Sequence, residues 1–151
     1  MIPSTVERVP KHTAEQVNEE IRRQTEERIT LVAAEGPAAI ERRLKELDDE
    51  WDIERMLEAN AASVSLLGLA LGATVDRRWY LLPTAVGGFL LQHAIQGWCP
   101  PIPIFRRLGF RTQPEIEYER YALKAIRGDF RNVESALFQP SVEKAKSSAR
   151  A

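Results

Sequence analysis

The chain of 151 residues has one cysteine and two histidines, and aromatic residues make up only 7% of it. A single thiol, Cys99, excludes an intramolecular disulfide. His93 has no second His, Cys or carboxylate close in sequence, and His12 lies in the leader and adds nothing, so no metal site and no cofactor is expected. The N-terminal MIPSTVERVPKHTAEQ lacks a basic stretch followed by an apolar run, so it does not read as a secretory signal. Scarce aromatics, not interleaved with the basic residues, leave no stacking platform for nucleic acid. No internal repeat is visible.

The most informative scarcity is of charge in one region. Residues 59–99 carry only Asp76, Arg77 and Arg78, whereas residues 1–58 are acidic and 100–151 are basic. The overall net charge of −1 and mean hydropathy of −0.32 hide this segregation. Such a distribution is that of a short integral membrane protein with polar extensions.

The apolar runs are 59–75 and 79–98, separated by Asp76-Arg77-Arg78. Each is marginal as a span: the first is short for a hydrocarbon core of roughly 30 Å, and the second contains Pro83, Gln92, His93 and Gln96. Joined by a tight turn they form one transmembrane helical hairpin. The first run is apolar on every face, unlike a core helix of a soluble bundle, which is the rival fold. Arg42, Arg43, Lys45 and Arg55 before the hairpin, and Arg106, Arg107, Arg111 and Arg120 after it, outweigh Arg77 and Arg78 in the turn. The positive-inside rule then places both termini in the cytoplasm. Trp51, Arg77, Arg78, Trp79, Trp98, Arg106 and Arg107 are the expected interface residues.

The flanks read as helical, giving an all-α chain. Residues 1–12 are expected to be a disordered leader. Thr13, with Gln16 three residues on, is a candidate N-cap for a helix over 13–35. Gly36 ends that helix, and Pro37 suits the first turn of a second, over 37–58. In the second helix Ile40, Leu44, Leu47 and Trp51 form an apolar seam, for docking on a neighbour or for a coiled-coil dimer. Within 100–130, Pro100, Pro101 and Pro103 point to an extended interfacial segment, followed by a short helix over 115–128. Residues 131–151 are expected to be a disordered tail.

Three groups carry candidate function. Ser65, Gly68 and Gly72 form a small face containing GLALG, with Thr84 and Gly88 as its counterpart. Such faces allow close helix packing, within the hairpin or between copies. Gln92, His93 and Gln96 form a polar intramembrane group near the cytoplasmic end, where water and headgroups can satisfy them. Cys99 is a candidate reactive thiol, although a helix C-terminus disfavours the thiolate.

The segment GWCPPIPIFRRLG after a Gly-rich apolar run resembles the DUF2892, or YgaP-like, transmembrane-domain family, over about 55–110. The resemblance rests on Cys99-Pro100 and Leu108-Gly109. It implies a small bacterial inner-membrane protein whose relatives include homodimers and fusions to a rhodanese sulfurtransferase domain. No rhodanese loop is present here. The reading is therefore a non-enzymatic, multi-pass membrane protein. Its expected partners are the lipid bilayer and further copies or a larger membrane complex, with no nucleic acid and no identifiable small-molecule ligand. A thiol or sulfur-handling role through Cys99 and a soluble interaction bundle are the alternatives.

Overall fold

The computed structural model describes Ser4, residues 6–131 and Ala149. Among the described residues the chain is all-helical, with no strand. Six α-helices follow in order: α1 (Glu15–Glu35), α2 (Pro37–Asp49), α3 (Ile53–Thr74), α4 (Leu81–Gln96), α5 (Ile102–Arg107) and α6 (Gln113–Arg127). Short 3₁₀ turns occupy Pro10–His12 and Arg77–Tyr80. The expected tail, apart from Arg131 and Ala149, lies outside the described residues.

The chain divides into two units. Of the described residues, those up to 24 and 51–116 form the first, and 25–50 with those from 117 on the second.

The first unit corrects the expected leader. Val9 is buried in a cluster with Ile53, Leu57, Cys99 and Ile102, and Phe105 and Phe110 pack against it. One apolar residue among charged neighbours was too little pattern to predict this. Thr13 does not cap α1. Its hydroxyl donates to the Val9 carbonyl at 2.9 Å, and Ala14 accepts the first bond of the helix, from Asn18 N–H.

The second expected helix is two. It breaks at Glu50–Asp52, and α3 then runs unbroken from Ile53 into the apolar stretch. Asp52 sets the new start: its carboxylate accepts from Arg55 N–H at 2.9 Å. Trp51 therefore leaves the seam, and the Arg55 guanidinium lies over its ring at 4.3 Å. The charges of Glu54, Arg55 and Glu58 hid the continuity of α3.

Asp76 caps the turn between α3 and α4 through Arg78 N–H at 2.8 Å. Gly97, in the left-handed region at φ 81°, ends α4 by donating to the His93 carbonyl. The exit segment is not extended. Pro101 and Pro103 sit at the start of α5, where a missing N–H costs nothing because the first-turn donors lack helical acceptors anyway. Thr112 and Glu115 then open α6 as half a capping box, the carboxylate accepting from Thr112 N–H at 2.7 Å.

In the second unit, the expected seam residues Ile40, Leu44 and Leu47 are buried, as are Ala39 and Leu123. Glu119 is fully buried among arginines: Arg43 Nε donates to it at 2.7 Å, and Arg28 Nη1 at 3.3 Å. Arg120 bridges Asp48, Glu117 and the Leu47 carbonyl.

Candidate functional site

The first unit contains the features on which function can rest. Its apolar helices α3 and α4 meet through glycine. A Cβ at Gly68 would lie 2.6 Å from Pro83 Cδ, and one at Gly72 2.7 Å from the Tyr80 ring. The GLALG face is thus used, but not against its expected counterpart. A Cβ at Gly88 would meet nothing within 4 Å, and the exposed Thr84 hydroxyl is turned to the Tyr80 carbonyl at 3.0 Å. Ser65 is half-buried. Pro83 and Tyr80, bulky groups, are what the glycines admit. A residue such as Leu at Gly68 must push Pro83 aside, and we expect Gly68→Leu to destabilise the α3–α4 pair by about 1–3 kcal/mol. Gly88→Leu should leave it unchanged, as measured by thermal unfolding in mild detergent.

Outside that contact, α3 and α4 are inside out. Leu66 is 66% exposed, Leu81 72% and Leu91 64%, while Gly68 and Gly72 of α3 are buried. Within Pro37–Thr74, which the break at Glu50–Asp52 divides, one window is long and apolar enough to cross a membrane. Only 22% of that window is buried. Trp79 and Trp98 flank α4, the latter edge-to-face with Phe89.

At the end where α3 begins and α4 finishes, polar groups are buried instead. Glu54 lies between two partners: Arg8 Nη2 donates to Oε1 at 2.8 Å, and His93 Nε2 to Oε2 at 2.7 Å. His93 is thus a buried, paired group and not one satisfied by water and headgroups. Its partner lies 39 residues earlier, beyond the reach of local pattern. His12 also has a role that its sequence position concealed, donating through Nε2 to the Gln96 carbonyl at 3.0 Å. Gln92 is half-buried and Gln96 exposed.

Arg106 is the clearest correction. It was expected to reach lipid headgroups, but its side chain is 0% exposed. It forks onto Glu115 at 2.6 and 2.7 Å and donates to Asn18 and to the Phe110 carbonyl. Burial would raise the Glu115 carboxyl, but the Arg106 hydrogen bonds and the Thr112 N–H hold it low. Arg107, Arg77 and Arg78 are exposed.

A cleft of about 200 Å³ opens between α3 and α4, lined by residues including Leu57, Val64, Val86, Phe89, Cys99 and Pro101. Its walls are apolar except at Asn60, so it suits hydrocarbon and offers no set of groups for acid–base or nucleophilic chemistry. Cys99 is buried, and that burial pushes its thiol pKa up, away from the thiolate a nucleophile needs. Among the described residues no group of three or more His, Cys, Asp or Glu could hold a metal ion.

No family model matches the chain, and no curated protein or solved structure matches it either.

Proposed function

We propose that this protein is a non-enzymatic membrane-anchored subunit, in which α3, the Arg77–Tyr80 turn and α4 form a transmembrane hairpin. The observation that carries this reading is the exposure of the large apolar side chains of α3 and α4 while Gly68 and Gly72 of α3 are buried against Pro83 and Tyr80. In water such a surface is an aggregation liability. In a bilayer it is the ordinary outer surface of a helix pair, and small residues are what let two helices pack where no hydrophobic drive separates them from lipid. Glu54, in the first turn of α3, and His93, in the last turn of α4, fall at the opposite end of the pair from the charged turn.

Both flanks of the hairpin then leave on one side, which the arginine distribution makes cytoplasmic. The acidic N-terminal and basic C-terminal regions supply the interaction surface, for further copies of the chain or for a larger complex in a bacterial inner membrane. Alkaline carbonate extraction tests the anchoring: the chain should stay in the membrane pellet, and release into the wash would favour the soluble-bundle alternative.

A further inference from the structure

The cleft between α3 and α4 takes its shape from the glycine contacts. The two helices come close at Gly68, where a Cβ would lie 2.6 Å from Pro83 Cδ, and at Gly72, against the Tyr80 ring. One turn nearer the start of α3 the glycines give way to Val64, and on α4 Val86 follows Pro83 by three residues. Both valines line the cleft, and their branched side chains hold the backbones apart where glycine lets them approach. The cleft of about 200 Å³ continues past Ala61 and Asn60 to Leu57, with Pro100 and Pro101 of the exit segment lining its other end.

Polarity is graded along this cleft. The end at Val64 and Val86 is apolar. The Asn60 amide lies a turn nearer the start of α3, is exposed, and has no hydrogen-bond partner among the described residues. In the hairpin proposed above, the valine end points toward the bilayer centre and the Asn60 end toward the cytoplasmic face. A phospholipid of the cytoplasmic leaflet carries the same gradient, with hydrocarbon toward the centre and ester groups toward that face. We propose that the α3–α4 cleft is a binding site for one acyl chain of a cytoplasmic-leaflet phospholipid, with its ester group held at Asn60.

The driving force is packing and one polar contact. Apolar walls hold no ordered water, so in a bilayer hydrocarbon is what fills the space. A chain seated there loses no contact with water that it had in the lipid, so its gain comes from close contact with fixed walls. The Asn60 amide has two N–H donors, and an ester carbonyl accepts from them. This gives a place to the one amide side chain in the first half of the apolar run, which the contact with Pro83 and Tyr80 does not use. The proposal rests on the membrane reading of the hairpin and adds a bound lipid to it.

Native mass spectrometry of the full chain tests the site. The protein is taken from vesicles of phosphatidylglycerol and phosphatidylethanolamine into a steroid-based detergent, which has no acyl chain to compete. One phospholipid per chain should remain bound through washing. Ala61→Phe and Val64→Phe, each placing a ring in the cleft, should lose it, whereas Leu91→Phe, at an exposed position outside the lining, should keep it. Asn60→Leu should lower the bound fraction roughly threefold, the worth of a typical side-chain hydrogen bond within a membrane. Asn60 is exposed, so this variant reports even where a ring at the buried Ala61 disturbs folding. A wild-type chain that carries no lipid would overturn the proposal. So would a free fatty acid in place of phospholipid, folded ring variants that retain the lipid, or Asn60→Leu binding as the wild type does. Failure of the hairpin reading looks different: alkaline carbonate would then release the chain from the membrane, whatever it binds.

Discussion

Glu115→Ala should destabilise the first unit by about 3–5 kcal/mol, because it strands a guanidinium that water cannot reach. Arg106 has no exposed side-chain surface, and two of its hydrogen bonds go to this carboxylate. The converse change, Arg106→Met, should cost less. Glu115 is about a quarter exposed and keeps the Thr112 N–H, so part of its charge can be rehydrated. The double variant should be closer to the wild type than the sum of the two single changes, since neither charge is then left alone. Denaturant unfolding in detergent measures all three. The pair also sets an acid limit. Its carboxyl is held below its unfolded value, so its contribution is complete above the ordinary carboxylate range and is lost as pH falls through the lower folded value. Wild-type stability should drop in that acid window, and the double variant Arg106→Met with Glu115→Gln should lack this part of the drop.

The second large effect is expected in the other unit, with the roles reversed. There the carboxylate is the group without solvent: Glu119 is fully buried, whereas Arg43 is slightly exposed and Arg28 more so. Arg43→Met should therefore cost about 3–5 kcal/mol by removing the forked partner of a buried charge. Arg28→Met should cost far less, since its contact is longer and it is more exposed. Arg43→Lys should rescue only part of the loss, because an ammonium cannot reproduce the fork. If Arg28→Met proved as costly as Arg43→Met, the burial ranking behind this argument would be wrong.

These two networks mark what could not be read in the sequence. Helix content, the Gly36–Pro37 junction, the turn at Asp76 and the seam of Ile40, Leu44 and Leu47 all follow from local rules of period and capping, and all were legible. The pairs that organise the charged residues were not. Glu54 and His93 are 39 positions apart, Arg43 and Glu119 are 76 apart, and Arg106 and Asn18 are 88 apart. Arg106 illustrates the difficulty: an arginine after an apolar run looks like a headgroup ligand unless the acidic partner on the next helix is known. Pro101 and Pro103 misled for a different reason. Proline excludes a helix interior but suits a first turn, and only the position of the helix start distinguishes the two. GLALG was recognisable as a packing face, yet its partner was set by the actual turn, which brings Tyr80 and Pro83, not Thr84 and Gly88, against it.

The central claim is that α3 and α4 cross a bilayer as one hairpin with both flanks on the same side. The most direct test places single cysteines at Lys45, Arg78 and Tyr121 in a Cys99→Ser background and treats intact cells with a membrane-impermeant maleimide. Arg78→Cys should be labelled in intact cells, while Lys45→Cys and Tyr121→Cys should be labelled only after the membrane is opened. Labelling of all three positions only after the membrane is opened, or of Lys45→Cys and Tyr121→Cys on opposite sides, would contradict it.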